Sequence, residues 1–404
     1  MKLKKIPTAC AIAAAALFGA ATPAQAQVSG DVIRIGFITD MSSLYADIDG
    51  PGGVEAIKMA IADMGGEING KKIELLTADH QNKPDIGAVK AREWFDTQGM
   101  DMLIGGTNSG VNLAMAKLAA EKKKPFIAVG PGSSALTNAQ CTPYTIHYAY
   151  DTVALARGTG GAVVKAGGKS WYFLTADYAF GHALETDTAA VVKAAGGTVV
   201  GESRVPLNAS DFSSFMLQAQ ASKAQILGLA NAGGDTVNAI KAANEFGITK
   251  TMKLAGLLMF INDIHALGLK DTQGMYLTDN WYWNRDDETR AWARKFYDKM
   301  KRMPSSLQAA DYSVAMNYLK AVKALGTDDG DKVNDYLRKT KINDMYAKGG
   351  YIRPDGRMVH DVYLMQVKTP AESKEPWDYF NIASVIKGED AFTTKAETKC
   401  PLWK

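Results

Sequence analysis

The chain has 404 residues, with 46 Lys plus Arg against 43 Asp plus Glu, and 47% of its residues are hydrophobic. This composition indicates a globular protein, and the length exceeds what a single hydrophobic core usually serves, so two domains are expected. The balanced charge has no basic arm and no polybasic segment, which argues against binding to nucleic acid or to a membrane surface.

The N-terminus has the pattern of a secretory signal peptide. Three lysines among the first five residues precede an apolar run at residues 9–21, and an A-x-A cleavage motif ends at Ala26. The run is shorter than the roughly 20 residues that cross a bilayer. We therefore predict that residues 1–26 are a signal peptide and that the mature chain is exported.

The cysteines agree with export. After removal of the signal peptide only Cys141 and Cys400 remain. An even number of cysteines in an oxidising compartment favours a disulfide, although two free thiols are the alternative.

Apolar strand patterns alternate with helical patterns along the chain, which predicts an α/β fold with parallel sheets flanked by helices. The alternation restarts near residue 170, so two lobes of similar architecture are expected. Two long helices are predicted at residues 288–302 and 309–325, followed by a hairpin at 349–356. Trp281, Tyr282 and Trp283 alternate like strand residues and are expected to pack in the core or hinge.

Small or polar residues follow several of the predicted strands. Ligands of open α/β sheets bind outside the carboxyl ends of the strands, so two facing lobes would place these segments around one cleft. The candidate segments are GGTNSG, AVGPGSSALT, TADYAFG, LANAGGD and AGLLMF.

No motif for catalysis or for a cofactor stands out. The five histidines lack the helical spacing of a metal site, and Ser109 comes one residue late for a G-x-S-x-G nucleophile elbow. GPGSSA matches G-x-G-x-x-A, but the residues after it do not continue as a helix. We predict no catalytic residue, metal or cofactor, and a secreted hydrolase is the least favoured function.

The layout resembles type I periplasmic solute-binding proteins of ABC transporters, in the branched-chain amino acid-binding family. The supporting segments are IRIGFITDMSSLYADIDGPGGVEAIKMAI, GDTVNAIKAANEFG and AADYSVAMNYLKAVKALG. The resemblance implies two Rossmann-like lobes joined by a three-segment hinge, with lobe one at 28–146 plus 283–351 and lobe two at 147–282 plus 352–404. It also implies a periplasmic monomer that traps a solute and docks on a membrane permease.

The resemblance also implies which residues bind the ligand. Ser109 and Ser134 would donate hydroxyls to a substrate carboxylate, and the Gly132 carbonyl matches a position that accepts from a substrate ammonium. Family members that bind amino acids place an acid where this chain has Leu258. Burying an ammonium without a counter-charge is costly, so an amino acid ligand is disfavoured.

A carboxylate cradle with an apolar far wall suits a small organic acid. Tyr45 and Phe180 would add ring-sized surface, and Tyr150 and Asn231 complete the predicted ligand-binding set. We expect an aromatic acid resembling benzoate or coumarate. Branched-chain amino acids, 2-oxo acids, and amides or urea remain alternatives, as does a sensor that presents its ligand to a membrane receptor.

Overall fold

Two parallel β-sheets, each covered by helices, form two facing lobes, which confirms the predicted fold class. The structure is a computed structural model that describes residues 28–404, and the predicted signal peptide lies outside this range. Within these residues no helix is both long enough and apolar enough to cross a membrane.

The first lobe is built on a six-stranded sheet of order β2-β3-β1-β4-β5-β6, in which the edge strand β2 alone is antiparallel to its neighbour. Its central strand VIRIGFIT is almost wholly buried, as expected for a parallel strand covered on both faces. The elements are β1 Val32–Thr39, α1 Gly50–Asp63, β2 Glu67–Ile68, β3 Lys71–Asp79, α2 Pro84–Thr97, β4 Met102–Gly105, α3 Ser109–Glu121, β5 Phe126–Ala128 and β6 Thr145–His147.

The second lobe has a four-stranded parallel sheet of order β10-β9-β7-β8. A π-helical segment at 156–160 joins its first two helices, and a short 3₁₀ helix precedes its last strand. The elements are α4 Thr152–Leu155, α5 Gly161–Lys165, β7 Ser170–Ala176, α6 Ala179–Ala194, β8 Thr198–Val205, α7 Ser213–Ala221, β9 Ile226–Ala230, α8 Gly234–Glu245, β10 Lys253–Gly256, α9 Ile261–Leu267 and α10 Leu269–Thr272.

The rest of the chain is shared between the lobes. Helices α11 and α12 pack on α1 of the first lobe, while β11, β15 and β16 form a small antiparallel sheet beside the second. The two predicted helices and the predicted hairpin are confirmed within a few residues. The elements are β11 Tyr276–Asp279, α11 Asp287–Met300, α12 Ser306–Leu325, α13 Gly330–Lys339, β12 Ile342–Asn343, β13 Lys348–Ile352, β14 Met358–Val359, β15 Val362–Val367, β16 Phe380–Ile386 and α14 Gly388–Ala391.

The chain passes between the lobes three times: after β6, after β11 and after β14. The predicted boundary at 146/147 falls within β6, and the one at 351/352 falls within β13, before the crossing that follows β14. Trp281, Tyr282 and Trp283, in the second crossing, are buried in the core. The Trp281 and Trp283 indoles donate to the carbonyls of Met345 and Trp377, at 3.1 and 2.8 Å.

A disulfide joins Cys141 to Cys400, as the sequence predicts. It fixes the C-terminal tail beside the 3₁₀ helix Ser134–Thr137, and the Lys399 N–H donates to Asn138 Oδ1 next to it. Arg157, from the second lobe, holds the same tail through Glu397 at 2.8 Å. The tail therefore contacts both lobes.

Replacing both cysteines with serine is expected to lower the free energy of unfolding by about 3 to 5 kcal/mol, because the bond restricts the unfolded chain over a long loop. The two cysteines are separated by 259 residues. Urea denaturation with and without reductant measures the loss. Reductant should destabilise the wild-type protein and leave the Cys141→Ser/Cys400→Ser variant unchanged. If the two proteins are equally stable without reductant, the prediction is contradicted.

Candidate ligand-binding site

A cavity lies between the lobes at the carboxyl ends of both sheets. The empty space in it is about 250 Å³. The Tyr45 and Tyr178 hydroxyls meet across it, so the two lobes are in contact around the cavity. The lining residues are Tyr45, Ile48, Thr107, Asn108, Ser109, Gly130, Pro131, Gly132, Tyr150, Tyr178, Phe180, Ala232 and Leu258.

The positive end of helix α3 forms one wall. Asn108 caps the helix in a left-handed conformation, with φ of 68°, and its side-chain oxygen accepts from the Val111 N–H at 3.1 Å. Ser109 is the first helical residue, so its backbone N–H has no acceptor within the helix. The Ser109 hydroxyl accepts from the Ser133 N–H at 3.1 Å, and its own hydrogen remains available. This arrangement suits an anion.

The loop after β5 forms the floor of the cavity. The Tyr150 hydroxyl donates to the Gly130 carbonyl at 2.9 Å, and the Thr152 N–H donates to the Gly132 carbonyl at 2.8 Å. A side chain at Gly132 would meet the Phe180 ring, because a Cβ there would stand 2.7 Å from it. Glycine is therefore required for the close approach of the second lobe.

The second lobe supplies aromatic and aliphatic surface. Tyr178, Ala232 and Leu258 follow three of its strands, Phe180 lies in the first turn of α6, and the Tyr178 hydroxyl lies 2.7 Å from that of Tyr45 across the cleft. Burial raises the pKa of these two phenols and of Tyr150. All three therefore stay protonated and remain hydrogen-bond donors at neutral pH.

Among residues 28–404 no charged side chain lines the cavity. Five of the lining residues stand exactly two places after the end of a strand, which puts them at the same edge of their sheets. They are Thr107, Gly130, Tyr178, Ala232 and Leu258, following β4, β5, β7, β9 and β10.

Six of the eight predicted ligand-binding residues line this cavity: Tyr45, Ser109, Gly132, Tyr150, Phe180 and Leu258. The Gly132 carbonyl, expected to face a substrate ammonium, already accepts from Thr152.

Ser134 and Asn231 are not among the lining residues, which differs from the prediction. The Ser134 hydroxyl donates to Asp187 Oδ2 at 3.1 Å, because the 3₁₀ helix turns it towards α6. Asn231 stands one place after β9 and is buried, where its side-chain oxygen accepts from Thr236 at 2.7 Å.

Thr107, Asn108 and Tyr178 are the polar cavity residues that the sequence analysis missed. All three lie within segments that it had singled out, and the two-residue offset from the strand end would have found Thr107 and Tyr178. Among residues 28–404 no group of three or more His, Cys, Asp or Glu side chains is placed to hold a metal ion. No histidine in that range is hydrogen-bonded to Ser109.

Two α/β lobes closed over a small uncharged cavity are the architecture of a bilobal solute-binding protein. The family model for periplasmic binding proteins matches residues 32–374, and the chain belongs to this family. The predicted resemblance is therefore confirmed, and the protein is a substrate-binding component of an ABC transporter.

Solved structures of similar proteins cover nearly the whole chain. A periplasmic binding protein from Burkholderia mallei is 70% identical, with a TM-score of 0.91 over 93% of this chain and 100% of its own. A branched chain amino acid ABC transporter periplasmic ligand-binding protein from Burkholderia xenovorans is 38% identical, with a TM-score of 0.81 over 92% and 100%. A solute-binding protein from Rhodopseudomonas palustris, in complex with 3,4-dihydroxybenzoic acid, is 23% identical, with a TM-score of 0.80 over 91% and 100%, and shows the fold alone.

A buried pair of carboxyl groups lies behind the first-lobe wall. Asp49 Oδ2 accepts from the Thr39 hydroxyl at 2.6 Å, and that hydroxyl accepts from the Thr107 N–H at 3.1 Å. Among residues 28–404 no group donates to either Asp311 oxygen, and a Cβ on Gly53 would stand 2.5 Å from Asp311 Oδ2 and 2.6 Å from Asp49 Oδ1. Burial and the Asp49 charge raise the pKa of Asp311 well above its usual value.

The variant Asp311→Asn is expected to remove part of the decline in stability with rising pH. Asp311 keeps its proton in the folded chain, whereas the unfolded chain releases it above about pH 4. The associated stability is therefore complete below that pH and falls, by up to about 1.4 kcal/mol per pH unit, until the folded pKa is passed. Asparagine cannot titrate and can donate to Asp49.

Denaturation between pH 4 and 8 measures this slope. The exposed helical variant Asp298→Asn is the control and should retain the wild-type slope. An unaltered slope in Asp311→Asn would show that Asp311 is ionised in the folded protein.

Proposed function

We propose that the protein traps a small aromatic carboxylic acid, of the benzoate or coumarate kind, between its lobes. The observation that carries this proposal is an uncharged cavity with a helix N-terminus on one wall and aromatic rings on the others. We further propose that the lobes follow the predicted boundaries, that the protein is a periplasmic monomer, and that the closed form docks on a membrane permease.

The carboxylate is assigned to the start of helix α3. Backbone N–H groups in the first helical turn and the partial positive charge of the helix favour an anion there. The Ser109 hydroxyl can add a charge-assisted hydrogen bond, because it accepts from the Ser133 N–H and donates to no group among residues 28–404. A single carboxylate would therefore be held without a basic side chain.

The ring is assigned to the space among Tyr45, Tyr150, Tyr178 and Phe180. Tyr150 and Phe260 are already paired, with ring centroids 5.9 Å apart, and Tyr178 and Phe180 are paired at 6.0 Å. Aromatic side chains supply rigid apolar surface and favour offset or tilted ring contacts. An aromatic acid would extend both pairs.

An amino acid ligand is disfavoured because, in the part of the chain that the structure describes, no carboxylate lines the cavity. Leu258, at 2% exposure, stands where a counter-charge for an ammonium group is expected. Leaving a buried ammonium unpaired costs several kcal/mol. The Rhodopseudomonas palustris protein of the same fold is in complex with 3,4-dihydroxybenzoic acid, whereas the name of the Burkholderia xenovorans protein points to branched-chain amino acids.

A thermal-shift screen followed by calorimetry tests the ligand class. Benzoate and 4-coumarate are compared with benzamide, which lacks the charge, and cyclohexanecarboxylate, which lacks the flat ring; leucine, valine, a branched 2-oxo acid and urea complete the set. A ligand at about 100 times its dissociation constant stabilises by about 2.7 kcal/mol. Stabilisation by leucine or valine, and not by benzoate or coumarate, would refute the proposal.

Ser109→Ala is expected to weaken binding of the aromatic acid by about 1 to 3 kcal/mol, the range for a hydrogen bond to a charged group. Calorimetry measures the change. Ser213→Ala is the matched control, because Ser213 is also the first residue of a helix and its hydroxyl donates to Asp211 outside the cavity. Equal affinities in the two variants would place the carboxylate elsewhere.

Leu258→Glu is expected to abolish binding of aromatic acids, because the introduced carboxylate repels the ligand's charge and is itself buried without a partner. The same variant is expected to gain affinity for leucine or valine relative to the wild-type protein. Leu258→Gln, of similar size and without charge, separates repulsion from crowding. Undiminished binding of the aromatic acid to Leu258→Glu would remove Leu258 from the ligand site.

A further inference from the structure

We propose that Asp187 is a positioning residue that joins the lobes outside the ligand cavity and favours their closed arrangement. The inference rests on the proposed function in one respect, namely that closure around the ligand determines affinity. Its structural basis is a hydrogen-bonded group of three side chains, Asp187, Ser134 and Thr152.

Asp187 accepts two hydrogen bonds, one from Ser134 of the first lobe and one from Thr152 of its own lobe. Its Oδ2 accepts from the Thr152 hydroxyl at 2.6 Å and from the Ser134 hydroxyl at 3.1 Å. The Ser134 N–H donates in turn to the Thr152 hydroxyl at 3.2 Å. Ser134 belongs to the connection from β5 to β6 in the first lobe. Asp187 lies on α6 and Thr152 is the first residue of α4, both in the second lobe.

The same helix contacts the same loop at two points. Phe180 and Asp187 are two turns apart on α6 and so lie on one face of the helix. Phe180 packs on Gly132 in the cavity, and Asp187 bonds Ser134 two residues further along the loop. Helix α6 therefore holds both ends of the 132–134 segment, one at the ligand and one away from it.

Asp187 is well placed to stabilise this contact because it is a largely buried acceptor with two hydroxyl donors. The other charged groups that face it are Asp151 and Arg157. Arg157 is already bonded to Glu397 at 2.8 Å and to the Phe392 carbonyl at 2.7 Å. Burial raises the pKa of Asp187, and the bonds from Thr152 and Ser134 oppose that rise.

Loss of a contact between the lobes changes ligand affinity in a different way from loss of a contact with the ligand. The apparent affinity equals the intrinsic affinity multiplied by the fraction of molecules able to close. Loss of the contact should therefore lower the affinity for every ligand by the same factor. Loss of a cavity residue such as Ser109 should instead change the ratios between ligands.

The test compares Asp187→Ala, Asp187→Asn, Ser134→Ala and the double variant Ser134→Ala/Asp187→Ala. Asp187→Ala is expected to weaken every ligand that binds the wild-type protein by about tenfold, the magnitude for loss of hydrogen bonds to a charged group. Ser134→Ala should lower the affinity by a smaller factor. The double variant should lose no more affinity than Asp187→Ala, because the two residues share one interaction. Asp187→Asn keeps an acceptor and should recover part of the affinity.

Glu185→Ala is the matched control. Glu185 lies on the same helix and accepts from Thr175 at 2.6 Å and from Arg204 at 2.9 Å, both within the second lobe. This variant should lower thermal stability and leave affinity unchanged. The proposal would be overturned if Asp187→Ala bound its ligands as tightly as Glu185→Ala, or if the loss of affinity in Asp187→Ala differed from ligand to ligand.

Small-angle scattering of the unliganded proteins gives a second readout that needs no ligand. Asp187→Ala should have a larger radius of gyration than the wild-type protein and Glu185→Ala; equal radii together with equal affinities would overturn the inference. If leucine binds and benzoate and coumarate do not, the proposed ligand class is wrong but the role of Asp187 can still be tested, because the same variants can be titrated with leucine.

Discussion

The cavity depends on the hydrogen bonds that fix the loop between β5 and the 3₁₀ helix. Three successive carbonyls of this loop, those of Gly130, Pro131 and Gly132, accept from Tyr150, His147 and Thr152 at 2.9, 2.6 and 2.8 Å. Buried carbonyls need such partners because leaving them unpaired is costly. The donors lie between the last residue of β6 and the first residue of α4, around the first crossing between the lobes, so the cavity floor and this crossing form one bonded unit.

This unit explains why the loop can be rich in glycine and still be ordered. Gly132 has little side-chain packing of its own, yet its position is set by Thr152 on one side and the Phe180 ring on the other. A movement of either lobe is therefore transmitted to the floor of the cavity. A hinge segment that also positions a binding loop gives a direct physical route from ligand contact to lobe angle.

Much of the fold could be predicted from the sequence, since the apolar run in VIRIGFIT and the periodicity of α11 and α12 are strong local signals. Cavity residues such as Leu258 could be predicted because they follow the end of a strand closely along the chain. Ser134 and Asn231 escaped this reasoning because side-chain direction depends on the turn that follows. The 3₁₀ helix turns Ser134 towards Asp187. Asn231 stands one residue after the end of β9, where its side chain is buried away from the cavity.

The buried acids escaped sequence reasoning for a different reason. Asp49 and Asp311 lie 262 positions apart along the chain, and neither has a motif around it. They meet only because α12 packs on α1 at Gly53, where the absent side chain leaves room for two carboxyl groups. These two acids thus lie behind the cavity wall, and within residues 28–404 the lining of the cavity itself carries no charged side chain.

The tryptophans of the second crossing have a practical consequence for spectroscopy. Trp281 and Trp283 are buried where the chain passes between the lobes, and no tryptophan lines the cavity among residues 28–404. The chain has seven tryptophans. Because indole emission is sensitive to its surroundings, a change in tryptophan fluorescence on adding a solute would arise from rearrangement around these indoles, those of the second crossing among them, and not from contact between an indole and a solute in the cavity. Intrinsic fluorescence thereby becomes an indirect probe of conformational change.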